Sequence, residues 1–403
     1  MDAWEILKAR GFIQQHTDEA ELRAALAGKV TYYVGFDPTA DSLHVGHLIP
    51  VMAMAWLQRC GHRPIAVVGG GTGMVGDPSG RTELRQLLTP EVIAHNLSVY
   101  RVQLARFLKL DGADGMIVDN ADWLLNLNYV DFLRDIGRHF SVNRMLAAEG
   151  YKMRWEKGLS FIELNYQIMQ AYDFLELYRR HGCSLQLGGD DQWSNILAGA
   201  DLIRRVESQP AHVLTQPLIM TASGQKMGKT AAGAVWLDVE KTSPFNLYQY
   251  WLNVDDRDVG RMLKLYTFLP LDEIAKLEAL QGADIREAKR VLAWEFTALV
   301  HGKEAADAAE AGAKAMAAGE AAEDLPTFAV SAELLAAGAK IVAILADSGL
   351  AKSKGEAKRL IENGGVRLGS DKVASPDAGL ADLPLDGVVL RVGKKQAVRL
   401  IPA

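Results

Sequence analysis

The chain has 403 residues, 49% hydrophobic and 23% charged, with a formal net charge of −6 at pH 7. That length suits two or three domains with a sizeable buried core, and the acidic balance argues against a surface that coats nucleic acid over its whole area. Two cysteines without ligand spacing, Cys60 and Cys183, argue against a disulfide framework or a cysteine metal site; with no signal-like stretch at the start and no run of 18 apolar residues, a soluble cytoplasmic protein is expected.

In chain order, residues 1–28 read as a helix, and residues 30–36 as a buried strand that breaks towards Asp37-Pro38-Thr39. Residues 48–60 are helical, and Pro50 requires that helix to begin near residues 45–47, so that the missing N–H falls in the first turn. Residues 64–68 form a second short strand, so strand, helix and strand make a parallel βαβ unit. A helix at 89–110 and a strand within 114–123 follow. Residues 126–158 are helical and aromatic-rich, an interruption that fits either an internal layer or a subunit-contact insertion. A helix at 161–181, a strand at 184–187, a helix ending near 206 and a strand at 211–220 complete this part. Past 238 the pattern turns helical, with one alanine-rich helix at 286–318 and a linker from 319. Residues 340–403 hold eleven Lys/Arg against seven Asp/Glu, a local excess of four on a body that carries −10.

The organising stretch is Asp37-Pro38-Thr39 through His44-Val45-Gly46-His47. Strand, polar turn and helix start put backbone N–H groups and a positive dipole end at one point, which suits the phosphates of ATP. His44 and His47 share a face, and Gly46 between them leaves room for a flat ligand. A zinc reading of the two histidines needs two further ligands, and none stands at metal spacing.

Two glycine-rich stretches imitate nucleotide motifs. Gly71-Thr72-Gly73-Met74-Val75-Gly76 satisfies GxGxxG, but the turn residues Asp77-Pro78-Ser79-Gly80 follow where a helix should open, which excludes the dinucleotide reading. Gly224-Gln225-Lys226-Met227-Gly228-Lys229-Thr230 approaches a P-loop, yet Ser223 stands where its first glycine belongs and no helix start follows.

His44-Val45-Gly46-His47 and Lys226-Met227-Gly228-Lys229-Thr230 together resemble the paired HIGH and KMSKS signatures of class I aminoacyl-tRNA synthetases. Gly76-Asp77-Pro78-Ser79-Gly80-Arg81, Tyr166 with Gln170 and Asp173, and Gly188-Gly189-Asp190-Asp191-Gln192-Trp193 narrow the resemblance to the tyrosine-specific members. Arg81 departs from the lysine common there, keeping charge but changing geometry.

The resemblance implies an α/β fold: a Rossmann-like doubly wound parallel-sheet catalytic domain (1–238), an anticodon-side α-helical domain (239–318), a linker (319–338) and a small α+β S4-like RNA-binding domain (339–403). It implies L-tyrosine, ATP with Mg²⁺ and tRNA(Tyr) as partners, a homodimer, and no structural metal or membrane. It assigns catalysis to His44, His47, Lys226, Lys229, Thr230, Thr39 and Arg81. The tyrosine pocket takes Tyr33, Asp77, Tyr166, Gln170, Asp173 and Gln192, with Tyr33 and Asp173 on the phenol and Tyr166, Gln170 and Asp77 on the ammonium. ATP falls to Gly35, Asp37, Thr39, Gly46, His47, Gly189, Asp191, Gln192 and Lys229. Spacing agrees in part, since Tyr166, Gln170 and Asp173 lie at i, i+4 and i+7 on one helix face. In the tail, Ser353-Lys354-Gly355-Glu356 reads as a capping box opening a helix whose Lys354 and Lys358, flanked by Lys352 and Arg359, suit RNA phosphates. Two rivals stand beside this reading, a tryptophanyl-tRNA synthetase and a non-catalytic RNA-binding paralogue.

Overall fold

The computed structural model describes residues 2–79, 88–222, 224, 227–230, 233–318, 325, 327–336, 338–369, 371–384, 387–393 and 396–403. The chain divides into two compact units, Met1–Met227 with Lys264–Tyr266, and Gly228–Leu263 with Thr267–Ala403.

The first unit is built on a six-stranded sheet of β1 (Gln15–His16), β2 (Thr31–Phe36), β3 (Arg63–Val68), β4 (Met116–Asp119), β5 (Cys183–Gly189) and β6 (His212–Gln216). Their order is β1-β6-β5-β2-β3-β4. All neighbours run parallel except the edge strand β1. Strands covered on both faces read as continuous apolar runs, and Ile65, Ala66, Val67 and Val68 are all buried. The chain steps outward from β2 to β3 and β4, then returns on the other side through β5 and β6. This reversal opens a crevice at the carboxyl ends of β2 and β5, where doubly wound sheets bind ligands.

The amino-terminal stretch is two helices, not the single one expected. Ala3–Arg10 ends at Gly11, whose φ of 84° only glycine adopts cheaply, and Glu19–Leu26 starts afresh from an Asp18 cap. Between them β1 pairs with β6. At the organising stretch a 3-10 turn, Val45–His47, leads into the Leu48–Arg59 helix. Pro50 is its third residue, among the first four whose N–H has no partner within the helix, so the ring costs no hydrogen bond.

The Phe161–His181 helix begins with a complete capping box, Ser160 with Glu163, and stops at left-handed Gly182. It packs on the Trp193–Glu207 helix, where a Cβ on Gly199 would stand 3.0 Å from the Cβ of Phe174. Residues 126–158 fold as short helices with two faces. Ile136, Met145, Phe132 and Phe140 join the core beneath the Phe161–His181 helix. Eight of the fourteen exposed large hydrophobics among the described residues lie in 125–162, with Val130 and Phe161 each 68% exposed. An internal layer accounts for the first set and leaves the second without an inner partner.

In the second unit, Ile285–His301 and Lys303–Ala318 are separate helices broken at Gly302, where one was expected. Part of the expected linker is ordered structure: Thr327–Val330 is a strand paired parallel with Gln396–Pro402, and Ala332–Ala336 is helical. Fully buried Val330 supplies the apolar anchor that turns a linker-like composition into an edge strand. The small sheet carries Leu390 and Leu400 against Leu345 and Ile361 of the helices Ile341–Asp347 and Lys354–Glu362.

Candidate active site

Two groups of side chains converge on the carboxyl ends of the strands. The first forms a hydrogen-bonded frame along one face of the Phe161–His181 helix. Tyr166 Oη donates to Asp37 Oδ2 (2.8 Å), Thr72 Oγ1 to Asp37 Oδ1 (2.8 Å), and Asn120 Nδ2 to both Thr72 Oγ1 (2.9 Å) and Asp173 Oδ2 (2.9 Å). Trp123 Nε1 completes the set on Asp173 Oδ1 at 2.7 Å. Burial drives the Asp173 carboxyl up to about 7, with Asn120 and Trp123 pulling the other way as donors to the carboxylate and Asp37 and Asp119 adding to the rise.

Tyr33, on β2, tilts against Phe174 with ring centroids 5.3 Å apart. Its hydroxyl is buried and makes no hydrogen bond of good geometry; burial, with Asp173 and Cys183 adding, raises its pKa well above the ordinary value against a pull from the Gln186 side chain, so it stays protonated. Gln170 Oε1 is likewise buried without a partner. A buried orphan polar atom costs about 1–3 kcal/mol unless a ligand or water meets it. The frame therefore offers a donor beside a carboxylate at one end and an unsatisfied acceptor on the same helix face.

The second group surrounds Asp77. Gln192 Nε2 donates to its Oδ2 at 2.6 Å and the Ser79 amide to its Oδ1 at 2.9 Å. Asn195, fully buried, donates to Ser79 Oγ (3.1 Å) and Gln192 Oε1 (3.2 Å). Asp77 thus meets Gln192, and Tyr166 meets Asp37. Asp190, beside Asp191, is tied to Gln15 and Thr215. A cavity of about 610 Å³ is lined by Asp191 together with Arg144, Arg205, Trp193 and Leu218.

At the 3-10 turn the rings of His44 and His47 stack at 3.7 Å. His44 Nδ1 accepts from the Gly46 amide (3.0 Å) and His47 Nδ1 from the His44 amide (3.4 Å). Acceptance at Nδ1 fixes the neutral tautomer with its proton on Nε2, so each ring presents a donor. A Cβ on Gly46 would lie 2.9 Å from His44 Cε1 and 3.2 Å from the Met227 carbonyl, so only glycine lets these segments meet. Tyr266 Oη steadies the turn at the Val45 carbonyl (3.4 Å). Gly35 is exposed with open space at its Cβ, and the Thr39 amide donates to Asp37 O at 2.8 Å. Arg81 and Lys226 lie outside the described residues, as do the side chains of Lys229 and Thr230. The backbone of Lys229–Thr230 pairs with Gly233–Ala234.

In the small domain Lys352, Lys354, Lys358 and Arg359 are all exposed. Ser353 Oγ accepts from the Glu356 amide, but Glu356 Oε2 takes the Lys352 amide (2.7 Å), one residue upstream of the reciprocal bond expected. Arg367 stands abreast of both Lys372 and Arg391 on the sheet.

Residues 26–318 match the family model of class I tRNA synthetases (W and Y), and residues 318–399 match the tyrosine–tRNA ligase SYY-like C-terminal domain. The chain belongs to the tyrosine–tRNA ligase family. A tyrosine–tRNA ligase of Clostridium botulinum (strain 657 / Type Ba4) is 51% identical over 100% of this chain and 99% of its own length. One from Caldanaerobacter subterraneus subsp. tengcongensis is 50% identical with the same coverage. Among solved structures, a C-terminally truncated mitochondrial tyrosyl-tRNA synthetase of Aspergillus nidulans superposes with a TM-score of 0.69 at 32% identity, over 77% of this chain and 92% of that one.

Within this family member, sequence reasoning missed Asn120, Trp123, Thr72 and Asn195. Asn120 alone carried a signal, following a strand of the parallel sheet at its carboxyl end. Among the described residues no group of three His, Cys, Asp or Glu side chains could hold a metal, and no helix is long and apolar enough to cross a membrane.

Proposed function

We propose that the chain activates L-tyrosine with ATP and passes the tyrosyl group to the 3′-terminal adenosine of tRNA(Tyr). A carboxylate oxygen of tyrosine attacks the α-phosphorus, the bond to the β-phosphate oxygen breaks, and pyrophosphate leaves. The adenosine hydroxyl then attacks the tyrosyl carbonyl and AMP departs. Since the carboxylate is already a nucleophile, catalysis reduces to positioning and to neutralising charge on the phosphates. The Nε2 donors of His44 and His47 suit that task, joined by Thr39, Arg81, Lys226, Lys229 and Thr230, with Mg²⁺ carried on the phosphates of ATP. Gly35, Asp37, Gly46, Gly189, Asp191 and Gln192 line the nucleotide half.

The observation that carries the tyrosine reading is the orphan Tyr33 hydroxyl beside the Asp173 carboxyl. A phenol satisfies both at once, accepting from Tyr33 and donating to Asp173. Phenylalanine and tryptophan leave one or both unpaired, a selection rule for which tyrosine–tRNA ligases are themselves the standard example. Tyr166, Gln170, Asp77 and Gln192 take the ammonium end, where Gln170 Oε1 lacks a partner. The chemistry falls to residues 1–238, the helical domain to 239–318, and RNA contact to 339–403. There Lys352, Lys354, Lys358 and Arg359 meet RNA phosphates. The site of action is the cytoplasm. Purified chain should convert labelled tyrosine to an acid-insoluble form only when tRNA(Tyr) and ATP are both present. Charging with tryptophan, or none, would overturn the reading.

The chain acts as a homodimer through residues 125–162, whose outer apolar face needs a partner. Val130→Asp should halve the mass measured by light scattering while leaving the fold intact. An unchanged mass would remove this face from the interface.

A further inference from the structure

We propose that Thr72 is a positioning residue for both ends of the tyrosine slot, an inference that rests on the functional reading above. Thr72 belongs to the GxGxxG imitation at residues 71–76, a motif that binds no dinucleotide and is so far without a task. It is 3% exposed, on the 3-10 turn Thr72–Met74 that follows β3. Its hydroxyl both gives and receives. It donates to Asp37 Oδ1 at 2.8 Å and accepts from Asn120 Nδ2 at 2.9 Å. Asp37 in turn receives Tyr166 Oη, and Asn120 holds Asp173. Tyr166 and Asp173 stand two helical turns apart on one helix, so the path Tyr166–Asp37–Thr72–Asn120–Asp173 closes a ring against it, with Gln170 between.

The backbone around Thr72 is shaped for this bond. A Cβ on Gly69 would fall 2.3 Å from Asp37 Oδ1 and 2.5 Å from Thr72 Oγ1, in the space the hydrogen bond occupies. Asn120 Oδ1 accepts from the Gly71 amide at 2.8 Å, locking the amide so that its Nδ2 must face Thr72 and Asp173. Because Asn120 is thereby fully engaged, the hydroxyl at 72 decides whether the two carboxylates are held in one register. Removing it frees Asp37 to swing and leaves one Asn120 proton without an acceptor, which loosens the ammonium end and the phenol end together.

The test uses the full chain and its Thr72→Val and Thr72→Ser variants, with tyrosine affinity measured by equilibrium dialysis and kinetics by pyrophosphate exchange. Thr72→Val, which keeps the shape and loses the hydroxyl, should weaken tyrosine binding at least tenfold, a larger change than in the KM for ATP, to which Asp37 also contributes. Thr72→Ser should restore binding to within threefold of the unsubstituted chain, a rescue that a packing role would not give. Combined with Tyr166→Phe, which removes a second donor to Asp37, the valine substitution should add less than its separate effect. Should the valine variant not fold, Thr72→Ala carries the same comparison. Unchanged tyrosine binding in the hydroxyl-free variant, equal loss in valine and serine, or strict additivity with Tyr166→Phe would overturn the proposal alone. No tyrosine binding by the unsubstituted chain would overturn the functional reading, and this proposal with it.

Discussion

Asp173→Ala should lower tyrosine-dependent kcat/KM by about 10- to 100-fold, the worth of one hydrogen bond to a charged group, while the KM for ATP stays within about twofold. In the proposed reading this carboxyl meets the phenol, and it is already aimed by Asn120 and Trp123. The same substitution strips both donors of an acceptor, so stability should fall as well, by about 1–3 kcal/mol per orphaned group. Asp173 also sets a pH dependence. With its pKa driven up to about 7 by burial, the ionised acceptor gains population from about pH 6 to pH 8, and tyrosine kcat/KM should rise about tenfold across that span. Stability runs the other way. A carboxyl whose folded-state pKa is raised stabilises the fold below the ordinary carboxylate range, and that contribution is lost as pH climbs through about 7. In Asp173→Asn the activity limb should vanish; its persistence would assign the titration to another group.

The second large effect lies at the start of the same helix. Arg154→Met should cost about 3 kcal/mol of stability, measured by urea unfolding. Arg154 Nε and Nη2 grip Glu163 at 2.8 and 3.2 Å, with the two side chains 3% and 5% exposed. The carboxylate also receives Ser160 N and Oγ at 2.9 and 2.7 Å, which makes it the capping box of the helix that carries Tyr166, Gln170 and Asp173. Burial alone would push the Glu163 carboxyl up; Arg154 and Ser160 outweigh it and hold the group below its usual value. A lowered carboxyl contributes stability above its ordinary pKa and loses it as pH falls through the lowered one. The gap between the variant and the unsubstituted chain should therefore narrow towards pH 4, where protonated Glu163 no longer needs the guanidinium. Adding Glu163→Gln, which keeps a capping acceptor without the charge, should recover much of the loss. A constant gap at all pH values would mean that packing of the arginine stem, rather than its charge, holds the insertion to the helix.

How far the sequence reached depended on distance along the chain. The shared face of Tyr166, Gln170 and Asp173 was legible because helical periodicity is local; their assignment to a tyrosine pocket is what the family resemblance implies. The His44–His47 pair was legible for the same reason, down to the shared face that becomes a stacked pair of rings. The strands at 30–36 and 64–68 followed from apolar runs, and their parallel pairing from the helix between them. Asn120 and Trp123 lie about 50 residues from Asp173, and nothing near either in sequence announces the bond. Thr72 was hidden by a motif that looked like something else. The helix expected over residues 1–28 stops at Gly11 and the one expected over 286–318 breaks at Gly302, because a single glycine at positive φ ends a pattern that apolar spacing alone carries through. Part of the linker folded because one apolar residue, Val330, found a strand to pair with 72 residues later. That outcome needs the tertiary context.

Pyrophosphate exchange into ATP, run with each of the twenty amino acids in turn, tests the central claim most directly. Tyrosine alone should support exchange, and phenylalanine should fail despite differing by one oxygen, because it leaves Tyr33 and Asp173 unmatched. Exchange with tryptophan, equal exchange with phenylalanine, or none with any amino acid would contradict the account.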